Sequence, residues 1–341
     1  MLGVRQFIIK RLLLIIPLFF VVSTITFVVV RVIPANPLLV WVGPKATAEQ
    51  IARARVELGL DKPLYEQYVR YISGIFRGDL GVSFSSHNPV TSDLAVFIPA
   101  SLELITLAMI IGVVIGFPLG IISAKKKDKI EDHSSRLVAI AGVSLPTFFI
   151  GMLLQLLFFR YIGLLPVAGR LSSNVAVSYP ITRITGFYFI DSLVTGNFVA
   201  FQDAFAHAIL PAFTLALYPI GLVVRMTRTC MLEVLNEDYI KAARANGVPE
   251  RTVLYTYALK NAIVPSLTTL VLSFGYSLTG TFLVESIFNW RGLGLYTSRA
   301  ILAMDYSAIG GVTLLITLFY VIANIVVDVV QAYLDPRVVL E

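Results

Sequence analysis

Six uncharged apolar runs constrain this chain more than any other feature. They cover 12–30, 104–124, 137–159, 208–224, 261–284 and 306–327. A helix crosses the ~30 Å hydrocarbon layer of a bilayer with about 20 residues, and every run falls within or close to that length. The chain is 57% hydrophobic and 14% charged, where soluble domains carry about 25% charge. The expected fold is therefore an all-α polytopic membrane protein of six transmembrane helices, one bundle rather than two soluble cores. Arg5, Lys10 and Arg11 precede the first run, whose apolar core is too long for a cleaved signal peptide, so it reads as a retained span. The net charge of +6 resides in short loops beside the runs, where it sets orientation and does not call for a nucleic-acid partner. Placing Lys125–Lys129, Arg136, Arg225 and Arg228 inside gives a multi-pass plasma-membrane protein with both termini cytosolic.

Between the fourth and fifth runs lies the longest polar island beside a span, EDYIKAARANGVPERTVLYTYALKNAIVP, residues 237–265. Arg225, Arg228, Lys241, Arg244, Arg251 and Lys260 are set there against Glu233, Glu237, Asp238 and Glu250. Leu235, Tyr239, Ala242 and Asn246 share one helical stripe. Gly247 supplies the left-handed residue that ends a helix, and Pro249 suits the first turn of the next. Glu250 places negative charge near that second N-terminus, and Val253 and Tyr257 are expected on one face of the second helix. The pattern reads as a helix-turn-helix knob on the basic side of the membrane.

The island also carries a resemblance. Ala242-Ala243, three residues and then Gly247 resemble the A-A-x-x-x-G of the EAA loop in membrane subunits of binding-protein-dependent ABC importers. DYIKAARANG followed by ALKNAIVP is similar to the dipeptide/oligopeptide/nickel permease branch. LGLDKPLYEQYVRYISGIFRGDLGVSF, GVSLPTFFIG, VESIFNWRGLGLY, AMDY and the terminal YLDPRVVLE extend the similarity along the chain. Two departures stand out: Lys241 occupies the motif's Glu position, and Pro265 follows Gly247 by the longer spacing of the peptide branch. The resemblance implies an ABC type I importer permease fold with a small extracytoplasmic cap. It implies a second homologous permease subunit, two ABC ATPase subunits and an extracytoplasmic substrate-binding protein. It also implies that Glu237, Asp238, Tyr239, Lys241, Ala242, Ala243, Arg244, Gly247 and Pro249 form the loop coupled to those ATPases. Short peptides are the implied substrate, with oligosaccharides or nickel as cargoes of relatives.

The expected organisation is an N-terminus and first span (1–30), an extracytoplasmic region (31–98), a permease core (99–335, with the coupling loop at 233–264) and a cytosolic tail (336–341). Thr47 and Gln50 resemble a capping box opening a helix over 47–58, and 63–76 suits another. Gly112, Gly116 and Gly120 recur every four residues, a small-residue face for close helix packing. Pro146 interrupts the third run, and Ser144, Pro146 and Thr147 suit either a proline kink or a hinge or pore-lining segment. The fifth run is rich in hydroxyls, so Ser273, Tyr276, Ser277 and Thr281 are candidate pathway residues; equally, such hydroxyls bond back to their own helix. Glu285 at its outer end is a candidate substrate or gate contact, with an ion pair to Arg291 or Arg299 as the alternative.

No G-x-x-x-x-G-K-[ST] occurs, so ATP and Mg²⁺ belong to partner polypeptides and this chain is expected to bind no cofactor. An ion-coupled transporter would place charge inside the spans, and none of the six runs contains any. An intramembrane enzyme would need a motif such as H-E-x-x-H or G-x-S-x-G within a span, and none is present.

Overall fold

The computed structural model describes residues 13, 16–28, 37–43 and 45–334, and these form helices and connecting loops. The first is α1 (Ile16–Val28), apolar and shorter than the run that contains it; apart from Leu13, the rest of that run and both chain ends lie outside the described residues. α2 (Pro37–Val42) and α3 (Ala48–Glu57) follow. The capping box opens α3 as expected: the Gln50 amide donates to Thr47 Oγ1, and the Thr47 amide to Gln50 Oε1. α4 (Leu64–Phe76) lies lengthwise on α1, with Phe76 against Phe19 and Tyr68 and Tyr71 against Phe27. Part of the segment expected to cap the outer face thus rests on an apolar helix.

α5 (Val90–Lys125) begins well before the second run, because Pro99 does not end it. Proline cannot donate to the Ala95 carbonyl four residues back, and the Arg183 guanidinium donates to that oxygen instead, at 2.7 Å. α6 (Ile130–Ser144) and α7 (Thr147–Gln155, continuing as a π turn Leu156–Tyr161) together carry the third run. They are bent by 107°, so the expected kink is a full break. Leu145 is extended (φ −85°, ψ 139°) because the ring of Pro146 disfavours helical geometry in the residue before it.

The loop after α7 carries α8 (Ser173–Ser178) and α9 (Tyr188–Val194). Next comes α10 (Phe198–Leu235), which extends past the fourth run at both ends. α11 (Asp238–Ala245) leads into Glu250–Thr252, the π turn Val253–Ala258 and Leu259–Ile287, which run on without a break and are together α12 (250–287). α13 (Leu293–Leu302) and α14 (Tyr306–Leu334) complete the described chain. Among the described residues four helices, α5, α10, α12 and α14, are long and apolar enough to cross a bilayer, and the bent α6–α7 pair is a fifth apolar stretch.

The core lies where α5, α10 and α12 meet, around Leu104, Ile105, Leu215, Ile220, Val224, Phe288 and Trp290. Lipid tails are as apolar as leucine, so close contact rather than escape from water favours helix association here. The small-residue face provides that contact, with both helices advancing in steps of four. A Cβ on Gly112 would meet Pro219 at 3.4 Å, one on Gly116 would meet Val223 at 2.8 Å, and one on Gly120 would meet Thr227 at 2.6 Å.

Candidate functional site

The polar island folds as an elbow. α11 ends on Asn246, and Gly247 takes φ +74° as the left-handed residue beyond the cap. The Gly247 amide donates to the Arg244 carbonyl and the Val248 amide to the Ala243 carbonyl, the paired bonds of a Schellman ending. Pro249 sits one residue earlier than expected, as the N-cap of α12 and not in its first turn. The second helix is no separate short element but the start of the long α12. The Arg244 guanidinium closes the corner on Glu250, with bonds of 2.9 and 3.2 Å. Lys241, at the motif's Glu position, pairs within its own helix with Asp238 and holds that carboxyl below its usual range.

Two faces of α11 have opposite roles. Ile240 is fully buried among Ile121 and Ala124 of α5, Cys230 and Met231 of α10, and Val253, Leu254 and Ala258 of α12. Ala243 lies on that inner side, whereas Tyr239, Ala242 and Asn246 are exposed. Tyr239 is tied down at its tip, its hydroxyl accepting from Asn261 Nδ2 at 2.8 Å. Val253 and Tyr257 do not share a face: Val253 is buried and Tyr257 exposed. They lie in the π turn, whose buried positions are Val253, Leu254 and Ala258.

The candidate pathway residues divide. Ser273, Ser277 and Thr281 are buried. Ser273 Oγ donates to the Leu270 carbonyl and Thr281 Oγ1 to that of Leu278, so these hydroxyls bond to their own helix. Tyr276 is exposed and stacks on Tyr218 of α10, ring centroids 4.4 Å apart. Glu285 is fully buried and pairs with neither Arg291 nor Arg299. It accepts from Ser101 Oγ at 2.5 Å and from the amides of Gly294 and Leu295 at 2.7 and 3.1 Å, while Ser101 accepts from the Leu293 amide. A carboxylate thus sits on the N-terminus of α13, where the orphan amides favour it. The same packing explains the W-x-G-L-G spacing. Trp290 Nε1 donates to the Ala100 carbonyl, a Cβ on Gly292 would meet Glu285 at 2.5 Å, and one on Gly294 would meet the Phe282 backbone at 2.6 Å.

Two buried ion pairs escaped the sequence reading. Arg228 holds Asp132 at the elbow end of the bundle. At the opposite end Arg170 pairs with Glu103 at 2.5 Å and lies over the Tyr188 ring, 3.6 Å from its centroid. Glu103 directly precedes the second run, and its position against that apolar stretch was the one available signal.

Comparison of the sequence with known proteins points to one class. Residues 116–340 match the family described as "Binding-protein-dependent transport system inner membrane component", and residues 4–105 match its N-terminal companion. The chain belongs to that family: it is an ABC-importer permease, a membrane subunit and not an enzyme. It is 42% identical over 317 residues, 93% of this chain and 92% of the other, to the probable D,D-dipeptide transport system permease protein DdpB of Escherichia coli K12. It is 40% identical over 334 residues, 98% of each chain, to the dipeptide transport system permease protein DppB of the same strain. The glutathione transport system permease protein GsiC of Escherichia coli O6:H1 is 36% identical over 333 residues, again 98% of each.

Proposed function

We propose that this chain forms one half of a translocation pathway for short peptides, worked by separate ATPase subunits that dock on the elbow at 233–264. The observation that carries the reading is the division of α11. Its outer face presents Tyr239, Ala242 and Asn246, while Ile240 is packed among residues of α5, α10 and α12. A push on the exposed face therefore reaches three long helices through one buried side chain. In this reading Glu237, Asp238, Lys241 and Arg244 supply polar contacts, and Ala243, Gly247 and Pro249 hold the corner rigid. ATP-driven closure of the ATPases favours an outward-facing arrangement, and hydrolysis restores the inward-facing one.

The peptide cargo rests on the names of the relatives, and an oligosaccharide or nickel cargo is the second reading. The pathway wall includes the Ser273, Tyr276, Ser277, Thr281 and Glu285 stretch of α12, with Tyr276 meeting solute and the buried members supporting it. The other half is a second, homologous permease, and a substrate-binding protein delivers solute at the outer face. ATP and Mg²⁺ sit on the ATPases. Six spans, both termini cytosolic and an extracytoplasmic 31–98 complete the arrangement in the plasma membrane.

The test is ATP-driven peptide uptake in proteoliposomes holding the complex purified on this chain. Removing 238–247 is expected to abolish uptake and ATPase co-purification while the permease pair stays assembled. Uptake by this chain without ATPases, or full uptake without the elbow, overturns the reading.

A further inference from the structure

At the elbow end of the bundle, α6 and α10 line an open pocket of about 510 Å³, within the range of small-ligand sites. Arg136, Ala139, Ile140, Val143 and Ser144 form one helical face of α6, at steps of three and four. Gly221, Leu222, Arg225, Arg228 and Thr229 face them from α10. The helices meet closely at the apolar end, where a Cβ on Gly142 would lie 2.5 Å from the Leu217 carbonyl and one on Gly221 2.6 Å from that of Ala139. Towards the polar end of α6 the lining becomes basic.

The charges there do not balance. Arg228 is neutralised by Asp132 through two bonds of 2.7 Å. Arg136 and Arg225 form no ion pair among the described residues, so two cations line one concave site. Thr229 has turned its hydroxyl proton onto the Arg225 carbonyl, leaving that oxygen able to accept but not donate within the pocket. Apart from Ser144 the rest of the lining is apolar, and it continues onto the exposed outer surface of α6 at Leu137, Val138, Ile140 and Val143. A small water-soluble anion has no use for such a wall. An amphiphile matches both parts, with an anionic head on the arginines and a chain along Ile140, Val143 and Leu222.

We propose that this pocket holds the phosphate head group of an anionic membrane phospholipid, its acyl chain lying along α6. Basic pockets between membrane helices on the side where Lys and Arg collect are suited to anionic head groups. The bound lipid would supply the counter-charge that the chain omits beside Arg136 and Arg225, and would wedge α6 and α10 apart next to the Asp132–Arg228 strut.

The test uses the complex purified on this chain, placed in nanodiscs of phosphatidylcholine alone or mixed with phosphatidylglycerol, with retained lipid read by native mass spectrometry. Phosphatidylglycerol is expected to be retained over phosphatidylcholine, and Arg136→Gln and Arg225→Gln each to lower its retention about five-fold. Arg136→Lys/Arg225→Lys keeps the charge and is expected to keep most of the lipid. Equal retention of the two lipids by the wild-type complex overturns the proposal, and this measurement stands even if the Gln variants fail to assemble. Undiminished retention by assembled Gln variants also overturns it, as does displacement of phosphatidylglycerol by excess inorganic phosphate, which would make the site one for free phosphate.

Discussion

Arg228 grips Asp132 with two parallel hydrogen bonds, Nε to Oδ1 and Nη2 to Oδ2, each 2.7 Å long. The same carboxylate accepts from Ser123 Oγ at 2.5 Å and from the Asp128 amide at 2.9 Å. One fully buried side chain therefore ties the end of α5, the following turn, α6 and α10 together. Asp132→Ala leaves a guanidinium and an amide unsatisfied in a mostly enclosed site. The expected loss is about 3 kcal/mol of stability, with Arg228→Lys intermediate because an ammonium cannot form the bidentate pair. Thermal unfolding in detergent checks this; Asp132→Ala behaving like wild type would show the strut carries nothing.

Glu285 and Tyr276 lie on one helix and should fail in different ways. Glu285→Ala strands the buried amides of Gly294 and Leu295, at about 1–3 kcal/mol for each unsatisfied group. We expect lower thermal stability and poor membrane abundance for that variant. Tyr276→Ala loses an exposed ring and one aromatic stack, on the order of 1 kcal/mol. It is expected to leave abundance near normal while changing uptake rate or peptide preference. A stable Glu285→Ala protein with altered substrate preference would instead make Glu285 a solute contact.

The local features were the legible ones. Gly247 and Pro249 mark the elbow because chain reversal is written in adjacent residues, and the glycine repeat at 112, 116 and 120 marks a packing face because helical period is local. What stayed hidden depends on residues remote in sequence or on departures from the ideal helix. Ser101 and Glu285 are 184 positions apart, and no spacing rule joins them. Pro146 signalled a disturbance in the third run, but a kink and a 107° break share that signal, and packing of α6 and α7 against α10 decides between them. Val253 and Tyr257 were expected on one face, but Leu254 and Ala258 join Val253 on the buried side of the π turn, and which side faces the α5, α10 and α11 core is set by residues remote in sequence.

Gly247 offers the cleanest probe of the elbow. A Cβ there would meet nothing within 4 Å, so Gly247→Ala costs only backbone strain at φ +74°, about 1–2 kcal/mol. The Arg244–Glu250 bridge beside it is half-exposed and contributes at most about 1 kcal/mol. Gly247→Ala is therefore expected to reduce ATP-driven uptake severalfold in a protein that still inserts and assembles, whereas Glu250→Ala, which removes only the bridge, changes it little. The two rates, measured at matched membrane abundance, check this. Equal, near-wild-type uptake in both would show that the geometry of the corner is not needed for coupling.

The loop before α9 should open in acid. Asp191 is buried, which opposes its ionisation, yet Thr185 donates to it through both hydroxyl and amide, at 2.7 and 2.8 Å, and Gly186 and Ile184 donate their amides. These donors prevail and hold the carboxyl below its usual range. With the folded value below the unfolded one of about 4, ionised Asp191 stabilises the loop fully above the unfolded value. That contribution disappears as pH falls through the folded value. Hydrogen-exchange protection of the Thr185 and Gly186 amides is expected to hold at neutral pH and collapse below about pH 4, with the rest of the bundle still protected. Asp191→Asn should show weaker protection at neutral pH and no such acid step. If wild type and Asp191→Asn lose protection along the same pH curve, another group controls this loop.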